Sequence, residues 1–276
     1  MSRIQWQSEW SVGVPLVDQD HQTLVELINQ VFDSIDGPEE YATLGSVLSA
    51  LADYTDSHFQ REERLMAECG YPNSDKHRAI HAELAASVRR ISDHYGSEHG
   101  LRAAEVLPFL EHWLVEHILK EDMAYRASVT GNASAQTVAA GVGMTTQPFA
   151  WNQLRVLVLD DNANFVRLLS TILNGVGAAT VETASTAAEA MALLQGQPFD
   201  IVLCDWQLTG QDGLTFVTAV RALPDQDKAG VPIIMVTGNG DEEVSRRAAA
   251  AGVNAYLEKP ISARALLETL VKLVGR

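Results

Sequence analysis

The hydrophobic pattern of this chain changes period once, and that change divides what the chain can fold into. Up to about residue 127 the apolar residues recur at helical spacing, whereas from Leu154 short apolar runs alternate with helical stretches. Between the two, Ala127 to Leu154 carries no charged residue and is dominated by Gly, Ala, Ser, Thr and Val. Its SVTGNASAQTVAAGVGMTTQ has no periodicity that justifies an element and reads as a flexible or loosely packed linker. A chain of 276 residues is long enough for two cores. The expected organisation is an all-α antiparallel four-helix bundle over 1–127, a linker over 128–152, and an α/β doubly wound five-stranded parallel sheet over 153–276.

Composition narrows the function classes. Hydrophobic residues at 46% and charged residues at 20% belong to a soluble globular protein, and no apolar run approaches the roughly 18 residues of a transmembrane helix. A net charge of -16 argues against a nucleic-acid groove, which needs a basic footprint. The acidity lies early, with 22 acidic against 10 basic residues before Ser128 and 14 against 10 from there on; it reads as solvated helical surface. MSRIQWQSEW has no apolar stretch of the signal-peptide kind. Cys69 and Cys204 fall in different halves, so no disulfide framework is indicated. The reducing cytoplasm is the expected location, with neither nucleic acid nor membrane as a partner.

The first 16 residues, with Trp6, Trp10 and Pro15, lack a helical period and read as an extended arm laid against the bundle. Val17, His21, Leu24, Ile28, Val31 and Ile35 then keep one face of a helix until Gly37-Pro38. A second helix runs from about Glu39 to Cys69 and is stopped by Gly70-Tyr71-Pro72. Within it His58 and Glu62 stand four apart, on the face that carries Leu44, Val47, Leu48, Leu51, Phe59, Leu65 and Met66. A third, from near Ser74, puts His77, Ile80, His81, Leu84, Val88 and Ile91 on one side. The fourth, past Gly100, has Phe109, Leu110, Trp113, Leu114, His117, Ile118 and Tyr125 on its core side and Asp122 five residues after His117. Pro108 marks either its first turn or a kink.

Five imidazoles and two carboxylates, His21, His58, Glu62, His77, His81, His117 and Asp122, thus converge from four helices. One histidine on an apolar face is ordinarily a hydrogen-bonded core residue, but seven ligand-type side chains together exceed the available donors. Two first-row metal ions would satisfy them, since imidazole suits iron and carboxylates can bridge. If both carboxylates and one solvent-derived oxo bridge join two octahedral irons, three terminal positions remain on each. Five histidines leave one position open, in apolar surroundings that include Trp113, Leu114 and Ile118, where a small diatomic ligand fits. His94, His99 and His112 have no place in this pattern and read as surface residues.

The motifs VDQDHQTLVELIN, HFQREE, HRAIH and HWLVEHILKED resemble the bacterial hemerythrin family, over essentially residues 5–127. The resemblance implies that His77, His81 and His117 complete one iron, that His21 and His58 serve the other, and that Glu62 and Asp122 bridge. It also implies reversible dioxygen binding at the two-histidine iron.

In the second half, RVLVLDD, TVETAS, DIVLCDW, VPIIMVTG and AYLEKP read as five strands, each followed by a helix. In such a sheet the site lies at the carboxyl ends of the strands. There stand Asp160 and Asp161 after the first strand, Asp205 after the third, Thr237 after the fourth and Lys259 after the fifth. Three carboxylates at one edge repel unless a hard cation neutralises them, and clustered oxygens with room for water suit Mg²⁺. An aspartate can attack phosphorus to form an acyl phosphate, with Lys259, Thr237 and the metal holding the charge of the transferred group. Taken singly, the Asp160-Asp161 pair reads as a helix N-cap and Lys259 as a surface lysine; five such residues, each at a strand end, favour the pocket. The set resembles the receiver domain of two-component response regulators over about 153–276. The resemblance implies Asp205 as phosphoacceptor, Asp160 and Asp161 holding Mg²⁺ with it, Thr237 and Lys259 on the phosphate, and Tyr256 at the aromatic switch position. The loop QLTGQDG keeps Gly210 and Gly213 but has Thr209 where the family usually carries Pro, so the rigidity of the loop is put in question while no chemical residue is lost.

Together these readings describe a signalling protein rather than an enzyme, its only reaction being receiver autophosphotransfer. A sensor histidine kinase would phosphorylate Asp205, and a diiron oxygen- or redox-sensing bundle would be coupled to it. Residues after Leu257 only finish the fold, so output is expected through the bundle, through a homodimer or through a downstream protein partner. The alternative is an oxygen carrier or store, or an oxygen- or peroxide-consuming redox protein, regulated or localised by the receiver.

Overall fold

Each long helix of the first half forms because one apolar stripe can be buried, and the start of the first and the end of the second have a local cause. In the computed structural model, which describes residues 3–34, 40–95, 103–130, 132–140, 144–145, 149–238 and 242–275, α1 is Pro15–Asp33. Pro15 sits at its start, where the missing N–H costs nothing, and Val17, Leu24, Leu27, Ile28 and Val31 are buried along it. Next, α2 (Glu40–Glu68) ends before Gly70, which takes φ 65, and Tyr71 N–H turns back to the Met66 carbonyl at 2.9 Å. Then come α3 (Ser74–Tyr95), α4 (Ala103–Glu116), a π-helical turn (His117–Asp122) and α5 (Met123–Val129). α1 packs on α2 and α4, and α2 on α3. Pro108 lies inside α4, past its first turn. The N-terminal arm is irregular apart from a short turn at Ser8–Trp10 and is tied to α1 where Asn29 exchanges two hydrogen bonds with the backbone of Ile4. Ile35, the stop at Gly37-Pro38, His99 and Gly100 lie outside the described residues.

The segment read as a linker contains structure. α5 continues to Val129, and α6 (Ala133–Ala140) follows, with Ala135 and Ala139 buried in a cluster that includes Val12, Val17, Leu65, Met66 and Tyr125. The two alanines are four apart and so share a face. Their side chains are too small to create the hydropathy contrast by which amphipathic helices are recognised, so the segment's pattern hides a packed helix.

The chain divides into two compact units, Met1–Thr146 with Ser262–Arg264, and Gln147–Ile261 with Ala265–Arg276. In the second, a 3₁₀ turn (Trp151–Gln153) leads into β1 (Arg155–Leu159), α7 (Ala163–Gly175), β2 (Thr180–Ala184), α8 (Ala187–Gly196) and β3 (Ile201–Asp205). A small antiparallel hairpin of β4 (Gln207–Leu208) and β5 (Gln211–Asp212) precedes α9 (Gly213–Arg221) and α10 (Gln226–Ala229). β6 (Ile233–Thr237), α11 (Glu242–Ala251), β7 (Ala255–Glu258) and α12 (Ala263–Val274) complete the fold. The five-stranded sheet is parallel with order β2-β1-β3-β6-β7. β3 and β6 are buried along their whole length, which is why their sequences are continuously apolar rather than alternating. The order reverses beside β1, so the crevice at the carboxyl ends of β1 and β3 is the place for a site. Both cysteines are free, and among the described residues no helix is long and apolar enough to cross a membrane.

Candidate functional site

In the bundle, α1 supplies His21, α2 His58 and Glu62, α3 His77 and His81, and the π turn His117 and Asp122, all of them buried. Residues five apart on a regular α-helix stand about 140° apart around the axis. The π turn takes up that difference, and His117 Nε2 comes to 3.1 Å from Asp122 Oδ1. The side chains form two overlapping groups. Glu62, His77, His81, His117 and Asp122 have ligand atoms within 4.8 Å of one another, and so do His21, His58, Glu62 and Asp122. Both carboxylates belong to both groups. Glu62 Oε2 is 3.5 Å from His58 Nε2 and 3.2 Å from His81 Nε2; Asp122 lies 3.3 Å from His21 Nε2 through Oδ2 and 3.3 Å from His77 Nε2 through Oδ1.

The donor set fits metal ions. Both ring nitrogens of His21, His58 and His77, His117 Nδ1, Glu62 Oε2 and both Asp122 oxygens are buried without a hydrogen-bond partner among the described residues. Such a concentration of unsatisfied atoms calls for an ion. The electrostatics agree. Burial pushes Glu62 up, but the charge of His58 and contacts from His21, His77 and His81 hold it well below the usual carboxylate range. Burial and Glu62 also push Asp122 up, and His117 and His21 more than offset them. Burial pulls down His21 and His77, yet their carboxylate partners raise them to about 10 and about 9. His81 goes the other way: burial holds it below its ordinary value although Glu62 pulls it up, and the neighbouring His117 and His77 add to the lowering.

A surrounding layer, which ligand counting did not single out, positions these groups. Tyr125 donates its hydroxyl to Glu62 Oε1. Glu63 Oε1 is hydrogen-bonded to His81 Nδ1 at 3.1 Å, the carboxylate backing usual for a metal-binding imidazole, while Asp20 Oδ2 faces His58 Nδ1 at 3.5 Å, an ion-pair distance without a hydrogen bond. The signal for both was adjacency, since each carboxylate is next in sequence to a candidate ligand on its helix, Asp20 to His21 and Glu63 to Glu62. Phe59 stacks on His81 at 3.8 Å between centroids and reaches His58 at 5.6 Å; Trp113 meets Phe59 edge-on at 6.5 Å. Trp113, Leu114 and Ile118 are buried, and Trp113 Nε1 finds no acceptor among the described residues. On the other flank Trp6 of the arm comes within 6.0 Å of His21. His112 is exposed, and exposed His94 bonds the Arg90 carbonyl.

At the sheet edge, Asp160, Asp161 and Asp205 have carboxylate oxygens within 4.8 Å of one another. Lys259 Nζ donates to Asp160 Oδ2 at 3.1 Å and Asp205 Oδ1 at 3.0 Å. The cap of α7 is Asn162, whose side chain accepts from Asn164 and Phe165 N–H, so the aspartate pair does not serve as the cap. Burial pushes Asp160 up to about 6 although Lys259 pulls it down, and the charge of Asp205 adds to the rise. Burial likewise raises Asp205 against Lys259. Thr237 ends β6, one residue past Val236, the register partner of Asp205. Tyr256 is 45% exposed on the edge strand β7. Thr209 gives Asp161 Oδ2 both its backbone N–H, at 2.7 Å, and its hydroxyl. These bonds hold Asp161 below its ordinary range and fix the loop by hydrogen bonding where a proline would fix it by its ring. Gly213 is required because a Cβ there would stand 2.2 Å from the Asp205 carbonyl oxygen.

Two family models match. One is the hemerythrin HHE cation binding domain, over residues 12–127, and the other the response regulator receiver domain, over 156–271. Bacteriohemerythrin of Pseudomonas aeruginosa is 35% identical over 139 residues, which are 49% of this chain and 86% of that protein. Chemotaxis protein CheY-3 of Vibrio cholerae is 31% identical over 123 residues, 45% of this chain and 93% of that one. Among solved structures, chemotaxis protein CheY4 of Vibrio cholerae matches 44% of this chain and 98% of its own at 32% identity, with a TM-score of 0.41. The chain belongs to the hemerythrin HHE family in its first half and to the response regulator receiver family in its second.

Proposed function

We propose that this chain is a two-component response regulator whose receiver is phosphorylated on Asp205 and coupled to a diiron, oxygen- or redox-responsive bundle. The observation that carries the bundle half is the sharing of Glu62 and Asp122 between a group with three imidazoles and a group with two. His77, His81 and His117 would hold one iron, His21 and His58 the other, with both carboxylates between them. Bound there, iron supplies a reversible change of oxidation state and, on the side with two histidines, a position for a diatomic ligand such as dioxygen. The residues' own work is to exclude water and hold charge. Phe59, against His58, His81 and His117, and Trp113 behind it make the surroundings apolar, Leu114 and Ile118 would extend that lining, and Tyr125 keeps a proton on its hydroxyl toward Glu62.

In the receiver, Asp160, Asp161 and Asp205 would hold Mg²⁺. A carboxylate oxygen of Asp205 attacks phosphorus, the bond to the phosphodonor breaks, and an acyl phosphate forms. Lys259, which already donates to Asp205, and the Thr237 hydroxyl take the charge of the phosphoryl oxygens. A sensor histidine kinase is the fitting donor and the cytoplasm the fitting compartment. Tyr256, at the surface of β7, is the residue to report the change to a protein partner or a second copy. The domain limits this reading uses are 1–127 and 153–276. Asp205→Asn should abolish labelling by acetyl phosphate with Mg²⁺; labelling that persists removes the assignment. A carrier or store of oxygen is the second reading, favoured by the apolar lining. It predicts reversible bleaching of the visible spectrum under alternating oxygen and nitrogen, whereas rapid irreversible oxidation speaks for a sensor.

A further inference from the structure

The least expected polar group in the bundle is Arg61. It lies on α2 between His58 and Glu62, yet its side chain is only 9% exposed, which for a guanidinium requires partners. It has them on two sides. Through Nη1 it donates to Asp20 Oδ2, the same oxygen that lies 3.5 Å from His58 Nδ1. Through Nε it donates at 3.0 Å to the carbonyl of Ala139, in the last turn of α6. That carbonyl is one of the orphan acceptors at a helix C-terminus, where the helix dipole also favours a cation. A second contact region points the same way. Ala135 and Ala139 share their apolar cluster with Tyr125, whose hydroxyl bonds Glu62.

We propose that Arg61 is a positioning residue that ties His58 to α6, so that docking of residues 133–140 and metal binding at His58 stabilise each other. A cation held at His58 Nε2 would leave the ring proton on Nδ1, which faces Asp20 Oδ2 at 3.5 Å, and would draw the two into a hydrogen bond. Asp20 orients the ring only while Arg61 holds it, and Arg61 is held from the other side by α6. The coupling is reciprocal: whatever changes the ligand changes α6, and whatever pulls on α6 changes the ligand. Along the chain, α6 is the last described α-helix before the receiver's first strand, so the segment between the two families' motifs becomes part of the outer layer of the metal centre. The proposal rests on the metal reading above.

The test uses the full chain with iron, or zinc as a redox-silent control, and follows deuterium uptake of 133–140 together with the rate of metal loss to a chelator. In the wild type, metal loading should slow exchange of α6 by about fivefold or more. Arg61→Gln should erase that response while α1 to α3 still respond, and Arg61→Lys should restore part of it. Ala139→Asp, which touches no ligand but cannot be buried in the cluster, should speed loss of one of the two ions by about tenfold. Exchange of α6 that is indifferent to metal in a wild-type chain holding two ions overturns this proposal alone. So does unchanged metal loss from an Ala139→Asp chain whose α6 has become unprotected. A wild-type chain that binds no metal overturns the metal reading together with it.

Discussion

Replacing Asp160 by Asn should make the receiver more stable and useless for binding Mg²⁺. Asp160 is 2% exposed, and its carboxyl sits at about 6 in the folded chain against an ordinary 3.8. Each unit corresponds to about 1.4 kcal/mol, so keeping this carboxylate ionised in the fold costs about 3 kcal/mol at pH 7.5. The sign follows from proton counting. Between the two values the folded chain binds the proton more tightly than the unfolded one, so stability is highest below the unfolded value and falls as pH rises through about 6. Asp160→Asn removes the charge and with it the penalty. The expected gain is about 3 kcal/mol at pH 7.5 without Mg²⁺ and under about 1 kcal/mol at pH 4, since there the wild-type carboxyl is already mostly protonated. Added Mg²⁺ should stabilise the wild type and leave the variant unchanged. Hydrogen exchange of the β3 amides from Val202 to Cys204, corrected for the intrinsic pH dependence, reads receiver opening separately from the bundle. A variant no more stable than the wild type at pH 7.5, or a gain independent of pH, would refute the reasoning.

Tyr125→Phe leaves Glu62 Oε1 buried without its donor and should destabilise the metal-free bundle by about 1–3 kcal/mol, read as faster exchange of α2. Thr209→Val keeps the N–H to Asp161 but loses the hydroxyl; a hydrogen bond of about 1 kcal/mol predicts Mg²⁺ binding weakened about fivefold, followed through the fluorescence of Trp206 beside Asp205. An unchanged affinity would detach Thr209 from the site. Gly213→Ala forces a Cβ against the Asp205 carbonyl and should cost about 1–3 kcal/mol and slow labelling by acetyl phosphate.

The sheet was legible because buried parallel strands are continuous apolar runs, and β1, β3 and β6 are such runs, with Asp160 directly after the first and Asp205 and Thr237 ending the other two. The bundle was legible because His58 and Glu62, like His77 and His81, repeat a spacing that one α-helix face preserves. His117 and Asp122 were harder, since their spacing of five fits a π turn and not an α-helix. The segment α6 stayed hidden because its buried residues are alanines, which pack without leaving an amphipathic trace. Asp20, Arg61 and Glu63 were visible as charges but not as a supporting layer. Only the fold shows that Arg61 turns inward while other charges of the same helix, such as Arg64, face solvent. The helix-cap reading of Asp160 and Asp161 was open in the sequence and is closed by Asn162, which does the capping instead.

Metal analysis of the purified full chain tests the central claim most directly. Two irons per chain, lost together when Glu62 or Asp122 is replaced by Ala, is the result expected if the two carboxylates bridge the three-histidine and two-histidine groups. A chain holding one ion or none, or one that keeps two after both carboxylates are removed, would contradict it.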